Sequence, residues 1–462
     1  MSFSSAIEKT FKTLLPAPFT IAVILTVITM VLAFTLTSSE ATGIARITEV
    51  LGFWEQGLWN APLLVFAMQM MLILVLGHTL ALTKPVDVII GYATRYCNNT
   101  ANAAAIVTLL TVLVALFNWG LGLIFGAILA RKVGEHAVKN DIDINYPLIG
   151  AAGYAGMMVW HGGISGSAPI KVAEEGHINS LMSSIVSTEQ LQLLPDSISF
   201  SETVFGNMNL AAVLLTIIVL PTFMYFLGKK SSVGSYLPIE KTELDLKSID
   251  VSGAERLDHS NYFGLSIGAI ITVYCAYLAA SIFPEKGFGF INPNYINLLL
   301  LGLSLLLHRS FFKFLKAIDQ AIGGASGILI QFPLYFGIMG IMNSSGLVQL
   351  FSDFFVEISN ETTFPIFTLL SAGIVNIFVP SGGGQWGVQG PIILQAALEL
   401  GANIPKSIMA LAYGDQLTNM LQPFWALPLL GITGLKAKEI LPYTVALMGA
   451  GVVLYVSVLL IF

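Results

Sequence analysis

The stretch Val379-Pro380-Ser381-Gly382-Gly383-Gly384-Gln385-Trp386-Gly387-Val388-Gln389-Gly390-Pro391 separates two apolar runs, 364–378 and 392–400. Neither run crosses a bilayer alone, since a spanning helix needs about 20 apolar residues. A break at membrane depth leaves backbone N–H and C=O groups that lipid cannot satisfy, so it must be buried in protein or line a wet cavity. Cavities between broken helices are where secondary transporters hold substrate and coupling ion. The stretch predicts a helical hairpin over 363–400, and with it a transport fold.

Composition points the same way. Hydrophobic residues make up 55% of the 462, charged residues 10%, and mean hydropathy is +0.80. Soluble domains carry about 25% charge, so the chain reads as an all-α polytopic membrane protein. The net charge of −6 is spread over loops and suggests no nucleic-acid partner. Cys97 and Cys275 are isolated, which implies neither a disulfide framework nor a zinc site. Gly382, Gly384 and Gly387 match G-x-G-x-x-G, but Pro380 before them and Pro391 after them rule out a dinucleotide-binding unit. No Gly-rich Lys-Ser/Thr phosphate loop is present, so direct driving by ATP is not implied and no cofactor is expected.

Apolar runs predict spans near 16–37, 57–83, 146–170, 203–227, 262–283, 293–308, 320–345, 406–433 and 440–461. The first follows Lys9 and Lys12 and exceeds the roughly 7–15 residues of a signal core, so it reads as a retained helix. A second interrupted region, 103–130, reads as another hairpin. Basic loops hold Lys9/Lys12, Lys84/Arg95, Arg131/Lys132/Lys139, Lys229/Lys230/Lys241/Lys247/Arg256, Arg309/Lys313/Lys316 and Lys436/Lys438, and the positive-inside rule makes them cytoplasmic. Alternation then holds only if 103–130 leaves from and returns to the cytoplasm, and 363–400 does the same outside. Both hairpins are thus expected to be re-entrant. An odd middle helix separates a first repeat, 1–230, and a linker, 231–260, from an inverted second repeat, 285–462, with the connecting helix at 261–284. Thr108-Leu109-Leu110 recurs as Thr368-Leu369-Leu370, roughly 260 positions on, and Tyr154 and Pro169 return as Tyr413 and Pro428.

Polar side chains gather at four interruptions. Asn118, Gly120 and Gly122 break the first hairpin; Ser381, Gly382, Gly383, Gly384, Gln385 and Gln389 follow the break in the second. Trp160, His161, Ser165 and Ser167 lie in the 146–170 span, and Asp415, Gln416, Thr418, Asn419 and Gln422 in the 406–433 span. Unwound helices expose N–H groups that attract anions and carbonyls that coordinate cations. These residues are the candidate substrate contacts, with uncharged amides and hydroxyls suited to a monocarboxylate. Asp415, Gln416, Asn118 and Ser381 are the candidates for a coupling Na⁺ or H⁺, since a carboxylate within a span is functional by default. Simple alternatives stand beside this reading. Glycines can serve close helix packing, Ser and Thr can bond their own backbone, and His161 can be structural. Asp415 could lie near the external interface.

The motifs Trp160-His161-Gly162-Gly163-Ile164-Ser165-Gly166-Ser167-Ala168-Pro169, Pro380-Ser381-Gly382-Gly383-Gly384-Gln385-Trp386 and Gly414-Asp415-Gln416-Leu417-Thr418-Asn419 resemble those of the bacterial short-chain fatty acid transporter family, over nearly the whole chain. The resemblance implies uptake of acetoacetate- or butyrate-like acids across the bacterial cytoplasmic membrane by Na⁺ or H⁺ symport. The wider ion-transporter superfamily, which it also resembles, implies scaffold and transport parts, a homodimer and an elevator motion. The Ser-Asn-Thr triplets of the dicarboxylate carriers' hairpin tips are absent here, which agrees with a singly charged substrate. An anion channel and an intramembrane hydrolase using Ser165 or Ser167 with His161 are the alternatives.

Overall fold

The computed structural model describes residues 16–183, 187–231, 253–286 and 290–462, and all regular structure among them is helical. Lys9, Lys12 and the linker positions 232–252, with Lys241 and Lys247, lie outside the described residues.

The helices are α1 (Pro18–Leu36), α2 (Ile44–Leu58), α3 (Ala61–Ala81), α4 (Lys84–Thr94), α5 (Thr100–Phe117), α6 (Trp119–Lys139), α7 (Tyr146–Tyr154), α8 (Ser167–Ala173), α9 (His177–Met182), α10 (Thr188–Leu191) and α11 (Asn207–Lys230). After the linker come α12 (Arg256–His259), α13 (Asn261–Lys286), α14 (Pro293–His308), α15 (Phe311–Ala321), α16 (Ser326–Ser344), α17 (Leu347–Glu357) and α18 (Phe364–Phe378). The chain ends with α19 (Gly382–Leu400), α20 (Ile404–Thr418), α21 (Pro423–Thr433) and α22 (Ala437–Ile461). Among the described residues, seven stretches are long and apolar enough to cross a membrane. Their outer faces are apolar: Val27 is 54% exposed, Ile270 64% and Val273 67%. Apolar surface on this scale is covered by lipid or by protein, and with helices of spanning length it marks a multi-pass membrane protein.

Local chemistry sets where helices begin. Asn60, Asn99, Asn145 and Asn403 each accept a hydrogen bond from the N–H three residues on, capping α3, α5, α7 and α20. Asn145-Tyr146-Pro147 and Asn403-Ile404-Pro405 repeat the same cap and early proline in the two halves.

The chain reverses at both expected hairpins, and each break is shorter than the sequence suggests. Asn118 alone ends α5 and caps α6 through Leu121 N. Cβ atoms added at Gly122 and Gly126 would meet Ala115 and Thr111, pairs that step evenly away from the turn, so the arms run antiparallel. In the second hairpin only 379–381 are non-helical. Ser381 caps Gly384 N at 3.2 Å, and the glycines read as a loop become the first turn of α19. Gln385 Nε2 reaches back to Ala372 O at 2.8 Å, which folds α19 onto α18.

The spans expected at 146–170 and 406–433 are each interrupted. After α7, two 3₁₀ turns, Ala155–Met158 and Trp160–Gly162, lead through an extended link to α8. After α20, the turn Asn419–Leu421 precedes α21. Hairpin arms cross these interrupted spans through glycines. A Cβ on Gly126 would strike Gly153 O, and one on Gly414 would strike Leu369 O, so backbones touch where α6 meets α7 and α18 meets α20.

Candidate functional site

The two interruptions interlock at the centre of the protein. Asn419 Nδ2 donates to Met157 O at 3.0 Å, and Tyr154 OH donates to Asn419 O at 3.0 Å. Ile164 N donates to Leu116 O and Trp119 N donates to Ser165 Oγ, both at 3.0 Å, which seats the first hairpin's tip on the first interruption.

His161 stands where these parts meet. Its Nδ1 accepts from Ser167 N–H at 3.2 Å, so its proton resides on Nε2, which faces Asp415 Oδ1 at 3.1 Å. Its own N–H donates to Gln416 Oε1 at 2.9 Å. His161 and Gln416 are fully buried and Asp415 is 1% exposed. The second hairpin closes the fourth side: a Cβ on Gly382 would lie 2.6 Å from His161 Cε1 and 3.0 Å from Ser167 Oγ. Asp415 Oδ2 is buried without a partner among the described residues. The burial places Asp415 in the interior rather than at an interface.

The sequence candidates fall into three groups. Residues within or against the interlock are Trp160, His161, Ser165, Ser167, Gly382, Asp415, Gln416, Thr418, Asn419 and Gln422. Residues occupied elsewhere are Asn118, whose Oδ1 caps Leu121 N and whose Nδ2 donates to Ile291 O, and Gly122, which packs on Ala115. Gly120 is buried beside Asn118 and Ile296 with room for a methyl group. Gln385 and Gln389 are also engaged: Gln385 Nε2 donates to Gln389 Oε1, and Gln389 Nε2 donates to Ser352 and Ser371 hydroxyls. They brace α19 on α17 and α18. The third group is the hairpin tip, where Ser381 caps Gly384 N while Gly383 has nothing within 4 Å of an added Cβ.

If Gln389 is a brace, Gln389→Leu will lower thermal stability and leave the Michaelis constant for substrate unchanged. Removing its buried hydrogen bonds costs about 1–3 kcal/mol. A several-fold rise in that constant without loss of stability would instead make it a ligand contact.

Two further sets of residues complete the site. Asn376, the one amide in α18, donates to Asp415 O at 2.6 Å, Thr418 Oγ1 at 3.0 Å and Asn419 Oδ1 at 3.0 Å, while its own carbonyl accepts from Gln422 Nε2. A lone amide two residues from the end of an apolar run was the available signal in the sequence. The second set is aromatic. Trp119 packs on Trp160 at 5.9 Å and edge-on to Trp425 at 5.4 Å, Phe66 meets Trp425 at 5.9 Å, and Trp160 lies against His161 at 3.6 Å. Phe66 comes from α3, far away in sequence, and only folding brings it there.

Helices that stop inside the protein around a buried carboxylate, in a chain walled by lipid-facing aliphatics, define a membrane transport protein. The whole chain, residues 1–462, matches the short chain fatty acid transporter family model, and the protein belongs to that family. A relative from Escherichia coli (strain K12), named for short-chain fatty acid transport, is 36% identical over 452 residues, 96% of each chain. One from Haemophilus influenzae with the same name is 35% identical over 434 residues, 93% of this chain and 92% of that one. Among solved structures, Neisseria gonorrhoeae MtrF, described with a class of antimetabolite efflux pumps, aligns over 97% of this chain and 96% of its own at 16% identity and a TM-score of 0.39.

Proposed function

We propose that this chain is a secondary carrier that moves acetoacetate- or butyrate-like monocarboxylates across the bacterial cytoplasmic membrane in symport with H⁺ or Na⁺. The observation that carries the reading is the buried His161–Asp415 pair, enclosed by both interruptions and the second hairpin tip. An ionised carboxylate held only by a neutral imidazole is costly in such a place. It calls for a proton or a cation that arrives and leaves with the transport cycle. Asn376 Oδ1, Gln422 Oε1 and Asp415 Oδ2 are buried acceptors without donors among the described residues, the atoms such a partner would satisfy. Amide donors and the first N–H groups of α19 suit one carboxylate. The Trp119, Trp160, Trp425 and Phe66 rings offer apolar surface for a short acyl chain.

In this reading the α5–α6 and α18–α19 hairpins are re-entrant from opposite faces, and the halves 1–230 and 285–462 are inverted repeats about the connecting helix at 261–284. The hairpins and interrupted helices form the moving part of an elevator, and the scaffold pairs with a second copy. The residues proposed to contact substrate are those of the interlock and the tip, with Asp415 and Gln416 nearest the coupling ion.

Uptake of labelled butyrate into proteoliposomes, with H⁺ and Na⁺ gradients imposed separately, tests the proposal. Accumulation above the external concentration under one gradient is expected. Equilibration without accumulation would indicate a channel, and product formation a hydrolase. The aromatic wall adds a second expectation. Trp425→Ala removes apolar surface worth about 1.5–3 kcal/mol when covered, so half-saturation for butyrate should rise about tenfold, and less for acetate. Equal effects on both acids would remove the rings from the acyl site.

A further inference from the structure

Residues 167–183 and 187–206 fold as a cap over the second hairpin. Ala168, Val172, Ile178 and Met182 share an apolar core with Trp386 and Leu394 of α19. One directed contact crosses this core. Trp386 Nε1 donates to His177 Nε2 at 3.0 Å, the rings 6.4 Å apart. Among the described residues no other side-chain hydrogen bond joins the cap to α19. Trp386 is 1% exposed, so its indole N–H has no access to water when the contact is lost. Trp386 also lies one turn from Gly382, whose Cα is packed against His161.

The acceptor in this contact must be a bare imidazole nitrogen. A proton on Nε2 removes the lone pair and sets two N–H groups against each other. We propose that His177 is a positioning residue that pins the second hairpin to the cap while unprotonated, and that acid on that face frees the hairpin and so sets where the carrier turns over. The consequence for turnover rests on the carrier reading above; the contact itself does not.

The neighbouring charges permit this. Lys171 and Glu174 form an ion pair at 3.0 Å, and Asp196 accepts from Gly176 N–H and Asn179 Nδ2. Glu175 is exposed beside them, and α19 adds only Glu399, several turns from Trp386. Burial first, and then Lys171, hold the His177 imidazole below its ordinary range, with Glu174 opposing. The pinned state therefore favours the neutral ring. Its stabilisation is complete above the free-histidine value of about 6.5 and is lost as pH falls below it.

Hydrogen exchange of peptides from 382–400, corrected for intrinsic rates, tests this in the full-length protein in proteoliposomes at about pH 8 and about pH 5. In the unsubstituted protein, exchange should rise roughly fivefold at the lower pH, the factor for one lost hydrogen bond. Trp386→Phe should exchange at the faster rate at both values. His177→Gln, whose side-chain oxygen can accept from the indole without titrating, should stay protected at both. Butyrate uptake by either variant should lose the acid step seen in the unsubstituted protein. No change in 382–400 exchange between the two pH values, or a full acid step retained in His177→Gln, would overturn the proposal. Absence of butyrate uptake at every pH would instead sink the carrier reading and leave the exchange result to decide the contact.

Discussion

Asp415→Asn is expected to abolish gradient-driven accumulation of butyrate while exchange of internal for external butyrate continues. The Ser167 N–H holds His161 Nδ1 as an acceptor, so the imidazole meets Asp415 as a neutral donor. No lysine or arginine pairs with Asp415 among the described residues, and its Oδ2 is unpartnered. Its charge is therefore balanced by whatever binds with the substrate. An amide keeps the acceptor for His161 Nε2–H and the volume of the side chain, so the fold survives. It cannot take up a proton or balance a cation. One cation entering with a monocarboxylate moves no net charge, so its concentration gradient drives uptake, and each tenfold of gradient supplies about 1.4 kcal/mol, equivalent to about tenfold accumulation. That factor is the expected loss, measured as the steady-state ratio of labelled butyrate inside and outside proteoliposomes. Normal accumulation by Asp415→Asn would take the residue out of the coupling mechanism.

Gly382→Ala is expected to cut uptake severely, and Gly383→Ala to be close to neutral. The added methyl group at 382 would sit 2.6 Å from His161 Cε1 and 2.7 Å from Nε2. The ring has no room to retreat, because Asp415 and Ser167 N–H hold its two nitrogens, Trp160 lies against it and Gln416 fixes its backbone N–H. Either the hairpin tip moves off the site or the His161–Asp415 contact breaks. Displacements near 1 Å in such sites cost about a hundredfold, and uptake should fall by that order with the thermal midpoint of the purified protein little changed. At 383 the added group meets nothing within 4 Å. The space there is open, and the close approach belongs to its neighbour Gly382. Equal uptake by Gly382→Ala and Gly383→Ala would mean that the hairpin tip does not seat on His161 during transport.

Much of the organisation could be read before folding was considered. A proline-serine step followed by glycines between two short apolar runs required a reversal near 380, and Asn118 marked another by the same logic. Tyr154-Ala155-Gly156 and Gly414 to Asn419 carried too many amides and small residues for plain spans, and both neighbourhoods are interrupted. The sequence was less informative about the use of each polar group. Gln385 and Gln389 look like ligands in one dimension, yet on a helix they fall four apart on one face and bond each other. Asn376 was hidden inside an apolar run because a single amide scarcely alters the mean hydropathy of fifteen residues.

The chain by itself determined that this is a membrane protein of helices, where those helices break, and that Asp415 and His161 are costly to bury. Those are local properties, fixed by apolar run length, proline and glycine placement, and the desolvation of charge. Only the tertiary structure decided that Asp415 and His161, 254 positions apart, face each other, that Gly382 rather than Gly383 closes on them, and that Phe66 joins the tryptophans. Those contacts depend on how separate helices cross at Gly126, Gly153 and Gly414, and the distance between two backbones is a property of the pair that neither segment's sequence contains.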